Sequence, residues 1–175
     1  EYHVDGFRFD LVGLTDVDTI NAIRASLDEI DPSIIMYGEG WSLDTQTTKE
    51  GVKLATQTNA VDMPGMALFS DNIRDAVKGS VFEASEPGYV NGDVTGTYST
   101  IMKSAEGKPG WSATASQVIN YVSCHDNLTL WDKLNSTSAD DTLEERIKQN
   151  LLSASIVYTS QGVPFILAGE EMLRS

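Results

Sequence analysis

Three short stretches of this chain concentrate residues able to do acid–base or nucleophilic chemistry: Arg8 with Asp10, Glu39 with Trp41, and His125 with Asp126. Arg8 and Asp10 are two apart, so in an extended segment they project from one face, and the guanidinium can hold the carboxylate ionised. An ionised carboxylate serves as a nucleophile or an electrostatic stabiliser. Glu39 lies between Gly38 and Gly40, which carry no side-chain bulk, and precedes the apolar slab of Trp41, so a sugar could approach it. Beside an ionised Asp10 in a partly dry cleft, repulsion and desolvation would leave Glu39 with a proton to donate. Two carboxyls in opposite protonation states are what glycoside hydrolysis requires. Each residue taken alone has an ordinary explanation: an Arg–Asp ion pair, a helix cap, a structural histidine.

Other chemistries fit less well. Cys124 next to His125 suggests a thiol and its base, but neighbours in a strand point to opposite faces, and Cys124 reads as a small core residue. His3 and His125 are far apart and no cysteine pair exists, so no metal ligand set is assigned. Glu170 and Glu171 read as a carboxylate pair at a helix N-terminus.

The elements that must position these residues alternate. Val4 to Phe9 predicts a buried strand, with a turn at Leu11 to Gly13. Thr15 would cap a helix whose stripe is Val17, Ile20, Ile23, Leu27 and Ile30, stopped by Asp31 and Pro32. Ile34 to Tyr37 predicts the next buried strand, completing a βαβ unit with parallel strands and a right-handed crossover. Further along, Asn59 to Met63 predicts a strand, Asp71 to Lys78 a short helix, and Ser85 to Pro109 a long loop. Val118 to Val122 predicts a strand, and Leu143, Ile147, Leu151, Ala154 and Tyr158 a helix stripe; Val163 to Leu167 predicts the last strand, with Pro164 tolerated near its start. All three reactive stretches then follow strand ends, the carboxyl edge where parallel α/β folds place their sites. Alternation of this kind means α/β, a barrel or a doubly wound sheet. Five strands fall short of the eight of a closed barrel.

The chain has 175 residues and 41% hydrophobic content, enough for a sizeable core, and a net charge of -14 that repels nucleic acid and anionic membrane. No apolar run reaches the roughly 20 residues that would insert into a membrane. A single cysteine rules out an intrachain disulfide. The first residues, Glu-Tyr-His-Val-Asp-Gly, read as the interior of a longer chain.

Three stretches, Asp-Gly-Phe-Arg-Phe-Asp-Leu-Val-Gly (5–13), Gly-Glu-Gly-Trp (38–41) and Tyr-Val-Ser-Cys-His-Asp-Asn (121–127), resemble the second, third and fourth signature regions of the α-amylase superfamily, glycoside hydrolase family 13. Gln-Gly-Val-Pro-Phe-Ile-Leu-Ala-Gly-Glu-Glu (161–171) looks like that family's eighth barrel strand. Within it, residues 38–41 and 120–134 look most like type I pullulanases, with isoamylases and glycogen debranching enzymes next. The resemblance implies a partial (β/α)8 TIM barrel over 1–175, approximately strands 4 to 8, with strands 1 to 3 upstream and the isolated piece inactive. It implies a retaining hydrolase of α-1,6 linkages in pullulan, amylopectin or limit dextrins, hence starch debranching in carbohydrate metabolism. By motif position Asp10 would be the nucleophile, Glu39 the general acid/base and Asp126 the residue stabilising the transition state. Arg8 and His125 would position the nucleophile and the −1 sugar, and Trp41 would stack on sugar. No cofactor is needed for this chemistry; a structural calcium ion elsewhere in the parent protein is compatible with the resemblance, which also implies an extracellular or cell-surface setting. The alternatives are an α-1,4-acting relative and a noncatalytic carbohydrate-binding homologue.

Overall fold

The computed structural model describes residues 2–43 and 49–175. Among these, five short strands run β1 (Gly6–Phe9), β2 (Ile35–Gly38), β3 (Ala67–Phe69), β4 (Val118–Asn120) and β5 (Val163–Pro164), in sheet order β1-β2-β3-β4-β5. Five α-helices connect them, one between β1 and β2, two between β3 and β4 and two between β4 and β5: α1 (Val17–Asp28), α2 (Asp71–Lys78), α3 (Val94–Ala105), α4 (Leu130–Thr137) and α5 (Leu143–Thr159). β1 to β4 pair in parallel, neighbour to neighbour, so the chain is α/β with a parallel sheet. It forms two compact units, Glu1–Phe69 with Gly110–Ile119, and Ser70–Pro109 with Asn120–Ser175.

The first unit is the expected βαβ unit with β3 and the start of β4 added. Asp16, not Thr15, caps α1: its carboxylate accepts from the Thr19 amide at 2.7 Å, while the Thr15 carbonyl is taken by the Ala55 amide. Val17 and Ile20 are buried in a core with Val12, Met36, Met63, Met66 and Leu68, and Ile23 and Leu27 pack against it. Ile30 lies beyond the helix end and is 78% exposed. β2 is not buried throughout, since Ile35 is exposed and Met36 buried. The strand expected at Asn59 to Met63 is instead a 3-10 turn, Gln57–Asp62, where the Asn59 side chain donates through Nδ2 to the Leu54 carbonyl, its backbone amide donates to the Thr56 carbonyl, and local bonding replaces a ladder. The strand comes later, as β3. Gln117 closes this unit from within: its amide donates to the Ala60 and Met63 carbonyls at 2.7 and 3.0 Å, and its oxygen accepts from the Ala113 amide.

In the second unit α2 forms over the residues expected, and Ile73 and Val77 join Val122, Leu130, Leu134 and Val157 in the core. The segment read as a loop, Ser85 to Pro109, contains α3, capped by Asp93 and burying Ile101 and Ser104. The helix is hard to see because Thr, Gly and Ser dilute its apolar pattern. α5 begins with a Thr142–Glu145 capping box, yet its buried face is Asn150, Ser153 and Val157. Leu143, Leu151 and Tyr158 of the expected stripe are 57, 60 and 61% exposed. β5 is only two residues long, with the Phe165 amide donating to the Asn120 carbonyl after Pro164, which has no amide to offer. Glu171 accepts from the Gly169 amide as a helix-start carboxylate would, whereas Glu170 is buried.

Candidate active site

Parallel pairing of β1 with β2 sets Arg8 opposite Tyr37 and Phe9 opposite Gly38, so the residues after both strands, Asp10 and Glu39, emerge at the same level. The Glu39 amide donates to the Phe9 carbonyl and the Glu39 carbonyl accepts from the Gly13 amide, fixing that level from both sides. Glu39 is 3% exposed, and both of its oxygens are engaged: Oε1 accepts from Arg8 Nη2 at 2.6 Å and Oε2 from the Leu11 amide at 3.1 Å. Arg8 Nη1 meanwhile donates to Asp10 Oδ1, and the Asp10 side chain is 62% exposed. One guanidinium fork thus spans both carboxylates. Sequence spacing pairs Arg8 with Asp10 only; the second arm, onto Glu39, depends on strand register. The cation between the two acids offsets the repulsion expected of them.

Arg8 is held in turn by Phe69 of β3, whose ring centroid lies 5.9 Å from the guanidinium carbon and meets Tyr37 edge-on at 5.8 Å. Leu11 adopts φ 44° and ψ 44°, a left-handed conformation that an L residue takes at a cost of about 1–2 kcal/mol. That conformation belongs to the turn whose amide reaches Glu39. Leu11 was read from the sequence only as part of a turn, and nothing in its side chain signals the role of its amide.

The glycines flanking Glu39 do not open space for a sugar, contrary to expectation. A Cβ on Gly38 would come within 2.4 Å of the Phe9 carbonyl oxygen, and one on Gly40 within 2.7 Å of Leu68 Cδ1. They let β2 lie close to β1 and to the core. Trp41 follows, half-buried.

His125 and Asp126 belong to the second unit, on the segment that leaves β4 through Tyr121, Val122, Ser123 and the half-buried Cys124. Both side chains are more than half exposed, with His125 Nε2 3.5 Å from Asp126 Oδ1. The base of the segment is firm. Tyr121 is buried, accepts a hydrogen bond from Arg74 Nη1 at 2.9 Å and packs edge-on against Phe165. Burial, partly offset by Arg74, pushes the Tyr121 phenol above its usual value. Ser123 Oγ accepts from the Leu130 amide at 2.8 Å, at the first turn of α4. Asn127 has φ 63°, a conformation asparagine tolerates better than most residues.

In the first unit the structure therefore joins Arg8, Asp10 and Glu39 into one bonded group, with Trp41 next in the chain. In the second it places His125 beside Asp126.

No family model matches the chain. Among curated proteins it is 39% identical to a pullulanase of Bacillus subtilis (strain 168) over the whole chain, which covers 25% of that protein. It is 32% identical to pullulanase A of Streptococcus pneumoniae serotype 4, over 99% of the chain and 14% of the relative. Among solved structures, a Paenibacillus barengoltzii pullulanase mutant complexed with maltotetraose matches with a TM-score of 0.94 and 42% identity, over 100% of this chain and 28% of that one. An Anoxybacillus pullulanase complexed with maltotriose matches with a TM-score of 0.94 and 43% identity, over 99% of this chain and 24% of that one. The chain is homologous to the pullulanases over its full length, and corresponds to about a quarter or less of the length of these relatives.

Proposed function

We propose that the protein containing this chain is a starch-debranching glycoside hydrolase that cuts α-1,6-glucosidic linkages in pullulan, amylopectin or limit dextrins with retention of configuration. The observation that carries this reading is the Arg8 fork joining Asp10 to Glu39 at two adjacent parallel strand ends, in a chain homologous to pullulanases throughout. The exposed Asp10 would attack the anomeric carbon as the C1–O bond breaks, and the leaving oxygen would take a proton from Glu39. Water would then attack C1, returning its proton to Glu39 and releasing Asp10. Asp126 would bind sugar hydroxyls and stabilise the oxocarbenium-like transition state, Arg8 and His125 would position Asp10 and the −1 sugar, and Trp41 would stack on a sugar ring. In this reading the strands are part of a (β/α)8 barrel, approximately strands 4 to 8, and the substrate is a neutral α-glucan.

The test is reducing-sugar release from pullulan by the full-length protein. Maltotriose as the product, released first as the α-anomer, is expected, with activity falling at least a thousandfold in Asp10→Asn and Glu39→Gln. Full activity in either variant would reject the assignment.

A further inference from the structure

Lys78 ends α2 and is 2% exposed, an expensive place for an ammonium group. An apolar residue of similar length would pack there at lower cost, so the position of the charge calls for a specific use. Its Nζ donates to the carbonyl oxygen of Leu128 at 2.9 Å, two residues past Asp126 and just beyond the left-handed Asn127. The Lys78 backbone is fixed as well, with its carbonyl accepting from buried Asn91 Nδ2 at 3.4 Å. On the near side of the same segment, Ser123 Oγ holds the Leu130 amide. Residues 123 to 130 are thereby pinned at both ends, with His125 and Asp126 between.

We propose that Lys78 is a positioning residue for the reaction, holding the Leu128 carbonyl so that the Asp126 carboxylate meets the sugar at the correct height. This deepens the proposed function and rests on it. The charged and titratable groups around Lys78 are Arg74 and Asp75 on its own helix, Cys124 on the segment it supports, and buried Glu170. Burial first and Arg74 second push its ammonium down to about 8, while Cys124, Asp75 and Glu170 pull the other way. At neutral pH it is still mostly charged, and a charged donor makes the stronger hydrogen bond to a carbonyl. An error of about 1 Å in a transition-state contact costs on the order of a hundredfold in rate, so a second-layer donor can matter this much.

The test is a double-mutant cycle in the full-length protein, with kcat and KM on pullulan measured for wild type, Lys78→Met, Asp126→Asn and the double variant. The expected result is a roughly tenfold to hundredfold loss of kcat in Lys78→Met with KM changed less than threefold. In the Asp126→Asn background the same substitution should change kcat less than twofold. An equal loss in both backgrounds, or no loss in the first, overturns the proposal, because a purely structural role lowers both by the same factor. If Lys78→Met does not fold, Lys78→Leu, which also lacks a donor, goes through the cycle with the same criteria; failure of both to fold assigns Lys78 to the core and overturns it. Absence of debranching by wild type would instead reject the proposed function, whereas an active wild type with an additive cycle rejects only the role of Lys78.

Discussion

Arg8 serves two carboxylates with different surroundings, Glu39 buried and Asp10 mostly exposed, and a planar five-donor fork is the side chain able to do so. Lysine offers the same charge as a point. Arg8→Lys should therefore lower kcat on pullulan at least tenfold, and the Glu39 oxygen left short of a donor should lower stability by roughly 2 kcal/mol in urea unfolding. A second residue-scale expectation concerns pH. Lys78 is pushed to about 8 in the folded chain against an ordinary 10.5, so between those values the unfolded chain binds more protons and stability rises with pH. Tyr121 acts in the opposite sense, because its raised pKa keeps a proton that the unfolded phenol loses above 10.0, and stability falls there. The net profile should climb from about pH 8, crest near pH 10 and then drop. Denaturant unfolding of wild type and Lys78→Met across that range checks it: the variant should lose the climb and keep the drop.

Among elements, contact between β1 and β2 is the most demanding. Gly38→Ala drives a methyl into the rigid Phe9 carbonyl, whereas Gly40→Ala meets the end of the flexible Leu68 side chain. Gly38→Ala should cost about 1–3 kcal/mol and most of the activity, and Gly40→Ala clearly less, as unfolding midpoints and kcat will show. The elements readable in the sequence were those with strong local signals. The β1–α1–β2 unit has apolar runs and a periodic helix, and Asp71 to Lys78 matches α2 throughout. β3 is three buried residues, Ala-Leu-Phe, too short and too poor in β-branched residues to announce itself. The inward face of α5 is carried by Asn150 and Ser153, so the leucines mark the wrong side. The site divides the same way. Arg8, Asp10 and Glu39 could be named from residue type and spacing, but the Glu39 arm of the fork and the Leu11 amide depend on strand register and on a backbone angle.

Over the whole molecule, several large apolar side chains face outward, among them Phe82 at 84%, Tyr158 at 61% and Leu151 at 60% exposure. Such groups are expected where further protein packs, so residues 1–175 expressed alone should bind a hydrophobic dye and release no measurable sugar from pullulan. Fluorescence titration beside the full-length protein checks the first expectation, and the reducing-sugar assay the second. The chain is also interleaved: each compact unit is assembled from two separate stretches. A single cut can therefore separate neither unit cleanly from residues of the other, and limited proteolysis within residues 70–109 would divide both. The same interleaving sets a schedule during synthesis. The Ala60 and Met63 carbonyls accept the nearby Met63 and Met66 amides, but their second donor comes only at Gln117, 57 and 54 residues later. At about 5–20 residues per second, the nascent N-terminal half waits several seconds on the ribosome before the Gln117 side chain that ties it together is made.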